Sequence, residues 1–268
     1  METFRFQPGE TPVLLSIPHV GTAIPPDIAA TMTDEALAVP DTDWHLDRLY
    51  HFAPALGIGF LKATCSRYVI DLNRGPQEAP LYPGTDNSEL CPTYTFDRHP
   101  VYKPGMEPDA TEIERRTGAF WTPYHEQLQA ELQSLTARFG VAVLLDVHSI
   151  PSRMPHHFDE RLPDFSLGSG EGSAAAGLVN RVMCALEATD QYSSALDNHF
   201  KGGFITHRHG RPTDNIHAFQ LKVTRRTYME EEAPFQYRND LAGKIRPSLE
   251  RILAATVEWA WGQAATRR

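Results

Sequence analysis

The sequence predicts an α/β fold with three layers, α/β/α, around a mixed, largely parallel central sheet. Two short apolar runs, Pro12–Ile17 and Val141–Leu145, carry this prediction. Each run has the length of a strand and is bounded by breakers or polar residues, which is typical of strands buried on both faces. Residues 111–139 carry apolar side chains at helical spacing and end at Gly140. Buried strands combined with such helices indicate one sheet covered on both faces.

Other elements of the first half follow from similar patterns. An amphipathic helix is predicted over residues 41–56, because acidic residues open the pattern and Gly57 ends it. Strands are predicted at 58–63 and at 68–71. Residues 75–110 are rich in Pro, Gly, Asp and Thr and have no strong period. A loop of this length in a compact domain is typically functional, and we expect it to form a pocket wall.

Patterns in the second half of the sequence predict two helices and a strand. Residues 173–188 and 235–261 are helical in pattern, with Pro247 expected to kink or split the second helix. A strand is predicted over 216–223, because its side chains alternate between two faces. No repeat or linker divides the chain, so we expect a single domain over residues 1–268.

Bulk composition excludes several classes of protein. A formal net charge of -9 and a pI of about 5.7 argue against a nucleic-acid or anionic-membrane partner. The three cysteines are widely spaced, so they indicate no disulfide framework and a reducing compartment. The N-terminal residues METFRFQPGE lack the regions of a signal peptide. We therefore expect a cytoplasmic protein that binds neither membrane nor nucleic acid.

Residues able to bind a metal follow the two predicted buried strands. Asp146 and His148 lie two positions apart at the end of one strand, so their side chains share a face. His19 follows the other strand. Ligands of open α/β sheets bind at the carboxyl ends of strands. A neutral imidazole can bind a metal while a carboxylate fixes its tautomer, although both residues could equally make ordinary polar contacts there.

An acidic residue at a helix start would complete a metal site. Asp43 with two histidines is the ligand set of a hydrolytic zinc site whose fourth position is open for water, or Asp43 is only a helix cap. Asn73 and Arg74 leave the strand predicted at 68–71. The guanidinium fork of arginine binds carboxylates through two hydrogen bonds, but the pair could equally hold a loop through a salt bridge.

The chain resembles the N-formylglutamate amidohydrolase (deformylase) family. The resemblance extends from about residue 13 to about residue 230, in the segments SIPHVGTAIPP, DTDWHLDRLYHFAPALG, SRYVIDLNRGP, LCPTYTF, LLDVHSIPSRMP, KGGFIT and HAFQL. The family is similar in fold to the zinc carboxypeptidases and aspartoacylases, so the resemblance implies a zinc-carboxypeptidase-like fold. It also implies one zinc ion, or another divalent metal, held by His19, Asp43 and His148. His45 and Asp47 are the fallback ligands.

The resemblance further implies a reaction. A zinc-bound water would attack the formyl carbon of N-formyl-L-glutamate and release formate and L-glutamate, a step of histidine degradation. Asn73 and Arg74 would hold a carboxylate of this small anionic N-acyl amino acid. Arg67 and Arg153 are further candidates for binding that carboxylate.

Lys222 departs from the family pattern, which has a glutamate here as the counterpart of the carboxypeptidase general base. Gln220 and Lys222 share a strand face, so Lys222 should point to where that base would lie. A desolvated lysine can act as a base, or His207 or His209 could transfer the proton instead. Two alternatives stay open: a hydrolase of another N-acyl amino acid, and a non-catalytic relative that binds a metal or an amino acid.

Overall fold

In a computed structural model of the chain, a seven-stranded mixed sheet forms the centre of the molecule. The structure describes residues 1–76, 89–188 and 191–265. The strand order is β1-β3-β2-β4-β7-β5-β6; β1 pairs antiparallel with β3, β5 pairs antiparallel with β7, and the other pairs are parallel. The strands are β1 (Phe4–Gln7), β2 (Val13–Ile17), β3 (Gly59–Ala63), β4 (Ala142–Ile150), β5 (Phe165–Gly168), β6 (Ser194–Leu196) and β7 (Ile216–Thr224).

Helices cover both faces of the sheet. They are α1 (Pro26–Ala29), α2 (Asp34–Leu37), α3 (Leu46–Leu49), α4 (Ala110–Arg116), α5 (Thr122–Phe139), α6 (Ala176–Glu187), α7 (Phe204–His209) and α8 (Asn239–Ala265). One buried core lies between the sheet and α6 and α8, and a second lies between the sheet and α1, α2 and α5. The predicted three-layer α/β fold is therefore confirmed. Within the described ranges, every helix is too short or too polar to cross a membrane.

The strand predicted at residues 68–71 is wrong, because this segment is a buried turn. The backbone N–H of Val69 donates to the carbonyl of Ser66, and that of Asp71 donates to Leu90. Val69 is fully buried in the second core. The apolar run therefore reflects packing against the sheet, and its backbone hydrogen bonds are made locally.

The predicted helices at 41–56 and 235–261 also differ in detail. In place of the first predicted helix, the structure has two short elements, α3 and a 3-10 turn at Ala53–Leu56. The helix cannot begin before Leu46, because His45 adopts a left-handed conformation with φ 61°. The second, α8, continues through Pro247 instead of splitting there. Strands β1, β5 and β6 were not predicted, since three or four residues are too few to show a period.

The register of the central strands places the candidate residues side by side. Asp146 of β4 lies opposite Gln220 of β7, and His148 lies opposite Lys222. On the other side of β4, Ser16 of β2 lies beside Asp146. Because β2, β4 and β7 are parallel, the residues that follow them meet at one edge of the sheet.

Candidate active site

His19, Asp43 and His148 form a buried cluster at the carboxyl ends of β2 and β4. Their exposed fractions are 4%, 1% and 1%. The Oδ2 atom of Asp43 lies 3.2 Å from Nδ1 of His148 and 3.8 Å from Nδ1 of His19. One ligand atom from each residue lies within 4.8 Å of the other two. The structure therefore brings the three predicted ligands together in a group that could hold a metal ion.

Two further carboxylates hold the histidine rings of this cluster. Nε2 of His19 is 2.7 Å from Oδ1 of Asp71, and Nε2 of His148 is 2.8 Å from Oδ2 of Asp146. An ionised carboxylate only accepts hydrogen bonds, so each Nε2 carries a proton and each Nδ1 presents a lone pair towards Asp43. A cation between these three atoms would stabilise them. Carboxylates behind the histidines are the usual support of metal-binding imidazoles.

The spacing of this donor set also fits zinc. Ligands held tetrahedrally at 2.0–2.2 Å from zinc lie roughly 3.3 Å from one another. The two measured separations of 3.2 and 3.8 Å, from Asp43 to the two Nδ1 atoms, bracket this value. The cluster could accommodate the ion with small side-chain movements.

Burial and neighbouring charges set the protonation of the cluster. Burial lowers the pKa of His19 to about 4, which leaves a neutral imidazole at neutral pH. Burial also acts to lower the pKa of His148, but Asp146 and Asp43 raise it above its ordinary value. Burial acts to raise the pKa of Asp71, yet His19 and Arg67 hold it well below its usual range. The site thus favours positive charge between its carboxylates.

The Asn73 carboxamide is bound within the protein interior. Its Nδ2 lies 3.3 Å from both Oδ2 of Asp146 and Oε1 of Gln220, and its Oδ1 accepts a 2.9 Å hydrogen bond from the N–H of Ile205. A Cβ at Gly203 would lie 2.2 Å from this amide, so a glycine is needed there. Asn73 joins the start of α7 to the cluster. It also lines the cavity, and its contact with substrate stays a prediction.

A cavity of about 1000 Å³ opens above the cluster. His19 lies at its base, and Arg67 and Arg74 line its wall. The Arg67 guanidinium donates to Oδ2 of Asp71 at 2.6 Å and lies 4.8 Å from the ring centre of Phe96. Residues 92–96 also line the cavity, so the described part of the long loop contributes a wall; residues 77–88 of that loop lie outside the described residues.

Lys222 lines the same cavity together with Gln220, as their shared strand face predicts. Its Nζ lies 4.8 Å from the ring centre of Phe200. Burial lowers the pKa of Lys222 to about 8; Arg67 and Arg74 act in the same direction. The amine is therefore still mostly protonated at pH 7.

The structure separates the other candidates. His207 lines the cavity, whereas Nε2 of His209 lies 3.1 Å from Nδ1 of His125, with the two rings stacked behind the site. Burial lowers the pKa of His209 to about 3. His209 lies outside the lining of the cavity, so its part in proton transfer stays a prediction. Arg153 is exposed and also lies outside the lining, so its contact with a substrate carboxylate stays a prediction.

The two fallback ligands are engaged elsewhere. Nε2 of His45 lies 2.8 Å from the carbonyl oxygen of Phe235. Oδ2 of Asp47 forms a salt bridge with Lys62 at 2.6 Å. Neither belongs to the group that could hold a metal ion, so Asp43 is the acidic member of the cluster.

Two site carboxylates were missed from the sequence. Asp71 supports His19, and Asp41 lines the cavity while accepting hydrogen bonds from the Tyr68 hydroxyl and the Phe96 N–H. A signal for Asp71 was available: the segment VIDLN repeats the apolar–Asp–x–polar order of LLDVH around Asp146.

A mixed α/β sheet with a buried His–Asp–His group at its strand ends is typical of metallohydrolases. The comparison with known families is more specific. The chain belongs to the N-formylglutamate amidohydrolase family, whose model matches residues 11–229. The resemblance carried by the sequence segments is confirmed.

Individual relatives agree with this family over nearly the whole chain. An N-formylglutamate deformylase of Pseudomonas aeruginosa is 45% identical over 259 residues, covering 96% of this chain and 97% of the relative. One of Pseudomonas putida is 42% identical over the same shares. The crystal structure of an N-formylglutamate amidohydrolase from Ralstonia eutropha JMP134 has a TM-score of 0.76 and 27% identity, covering 97% of both chains.

Proposed function

We propose that the protein hydrolyses N-formyl-L-glutamate to formate and L-glutamate, as a cytoplasmic step of histidine degradation. The observation that carries the proposal is the buried His–Asp–His group, whose member His19 lines a cavity that Arg67, Arg74 and Lys222 also line. Among the described residues, five cationic and three acidic side chains line this cavity, and this local excess of positive charge suits a dianionic substrate, although the whole chain has a net charge of -9. The names of the two curated relatives support the same substrate.

His19, Asp43 and His148 would hold one zinc ion. Bound zinc polarises a scissile carbonyl and lowers the pKa of a coordinated water towards about 7. By accepting from the Nε2 protons, Asp71 and Asp146 would leave both Nδ1 atoms available as metal ligands. The protein thus presents a preorganised donor set that does not need to rearrange during the reaction.

Arg67 and Arg74 are the proposed arginine ligands of the substrate carboxylates. Asp71 and the Phe96 ring orient Arg67, and Nη1 of Arg74 donates to the Asn73 carbonyl at 2.9 Å. The planar guanidinium fork of arginine carries five N–H donors and suits the geometry of a carboxylate. Holding the amino-acid part in this way would place the formyl group over the cluster.

His207 is the proposed proton-transfer residue. It lines the cavity and lies two residues along α7 from Ile205, whose N–H binds Asn73. We expect it to return a proton to the amine that leaves from the cleaved amide. Replacing His207 with Gln should lower kcat more than it changes KM, as measured by steady-state kinetics.

The first test is formate release from N-formyl-L-glutamate by zinc-loaded protein, before and after treatment with a chelator. We expect turnover that chelation abolishes and added zinc restores. A parallel assay with N-acetyl-L-glutamate tests whether the protein also accepts a larger acyl group. Absence of turnover with one zinc bound per chain would contradict the proposal and favour a different N-acyl amino acid or a non-catalytic binder.

A further inference from the structure

Lys222 has an amine that no described residue neutralises. Its Nζ lies over the ring of Phe200, and no carboxylate of residues 1–76, 89–188 or 191–265 lies within salt-bridge distance of it. An ammonium group has three donors and no acceptor, so a π-face alone leaves its hydrogen bonds unmade. A partner that accepts hydrogen bonds and carries negative charge would suit this amine.

The buried carboxylates nearest to Lys222 are already committed. Oδ2 of Asp43 lies 3.2 Å from Nδ1 of His148, and Asp146 accepts from Ser16 and from Nε2 of His148. Asp71, below the same cavity, pairs with His19 and Arg67. Asp43 and Asp146 act on the Lys222 amine only through space, and none of these carboxylates forms a salt bridge with it. The amine can therefore bind an anion that enters the cavity directly.

The position of Lys222 defines where that anion would bind. Lys222 lies directly opposite His148 across the β4–β7 pair and lines the cavity beside Gln220. The amine is thus one strand away from the proposed metal cluster. An anion bound there would be a near neighbour of the scissile amide, as the carboxylates of an N-acyl acidic amino acid are.

We propose that Lys222 is a substrate-binding residue whose Nζ pairs with one carboxylate of the N-acyl amino acid. This inference rests on the proposed function, because it assumes that an N-acyl acidic amino acid occupies the cavity. It assigns to Lys222 selectivity for acidic amino acids, rather than proton abstraction. Phe200 holds the amine in position for this contact.

The test combines variants with substrates that lack one charge. Lys222→Met retains the unbranched side chain, and Lys222→Arg retains the charge. Both are compared with the unmodified protein on N-formyl-L-glutamate, N-formyl-L-glutamine, which lacks the side-chain carboxylate, and N-formyl-4-aminobutyrate, which lacks the α-carboxylate. Lys244→Met, on the exposed face of α8, is the matched control.

We expect Lys222→Met to raise KM for N-formyl-L-glutamate roughly 10- to 100-fold, the usual effect of losing a charge-assisted hydrogen bond. Its kcat should change much less. The variant should also lose discrimination against one of the two analogues, which identifies the carboxylate that Lys222 binds. Lys222→Arg should restore most of this discrimination, and Lys244→Met should match the unmodified protein.

An equal fall of kcat on all three substrates, with discrimination unchanged in Lys222→Met, would overturn the inference and indicate proton transfer. Zinc content and far-UV circular dichroism of each variant establish that it is folded and loaded. Failure of the proposed function gives a different result, since the unmodified zinc-loaded protein would then release no formate from N-formyl-L-glutamate.

Discussion

The base and the rim of the cavity are built in different ways. The base is the buried layer below the cavity, and of its members His19 lines the cavity. It consists of residues that are at most 4% exposed and are each paired with another member or a direct neighbour: His19, Asp43, Asp71, Asp146 and His148. The rim consists of cavity-lining residues on loops, at 92–98, 156–158 and 198–203. Tyr94 of the rim is 56% exposed.

This difference suggests that the base residues serve metal binding and catalysis, whereas the rim residues serve substrate selectivity. Parallel strands in register place the base residues, and burial makes an unpaired polar atom there costly. Loops place the rim residues at the surface, where side chains can change without leaving a buried group unsatisfied. Changes in the base should therefore affect metal binding and turnover, whereas changes at the rim should mainly affect substrate binding.

The strongest test of the base is His148→Ala. Removing one of three protein ligands should abolish stoichiometric zinc binding and lower kcat/KM on the order of 10³-fold or more. Metal analysis and formate release measure the two effects. His51→Ala is the control, since His51 is exposed and remote from the cluster. Intact zinc content and activity in His148→Ala would refute the ligand assignment.

A smaller effect is expected for Asp71→Asn. The amide cannot accept from both His19 and Arg67 as the carboxylate does, so the imidazole loses its support. Zinc affinity or kcat/KM should fall roughly 10- to 100-fold, as measured by competition with a chromogenic chelator and by kinetics. Asp47→Asn is the control and should bind zinc normally. If the two variants behave alike, Asp71 has no supporting role.

The rim is tested by Tyr94→Ala. Removing this exposed ring should raise KM about two- to tenfold, because partial burial of one aromatic ring on substrate is worth roughly 1 kcal/mol. The stoichiometry of zinc binding should not change. Steady-state kinetics and metal analysis test both statements. Loss of zinc in this variant would show that base and rim are not separable.

The last effect concerns stability towards acid and not activity, and it arises from a buried histidine pair, His125 and His209, behind the cluster. Burial lowers the pKa of His125 to about 4 and of His209 to about 3. Protons therefore bind preferentially to the unfolded chain below about pH 6.5, so stability falls as the pH drops towards 4. His209→Leu should reduce the loss between pH 7.5 and pH 5 by about 1–2 kcal/mol. Urea unfolding at both pH values measures the free energy of unfolding. The same loss of stability in His209→Leu as in the unmodified protein would contradict the prediction.

Much of the fold could be predicted because its strongest patterns are local. The apolar runs before His19 and His148 became β2 and β4, and Gly140 ends α5 in a left-handed conformation with φ 79°. The same reasoning failed at residues 68–71, where burial made a turn resemble a strand. Apolar composition reports burial, and it does not distinguish the ways in which a buried backbone makes its hydrogen bonds.

The sequence by itself determined the strand ends that carry His19 and His148, because strand length and side-chain alternation are properties of neighbouring residues. Only the tertiary structure decided that Asp71 supports His19, that His209 turns to His125, and that Lys222 lies opposite His148 without a carboxylate partner among the described residues. Those contacts join residues 52 or more positions apart, or depend on the register between strands. Packing and register select such partners after the chain has folded.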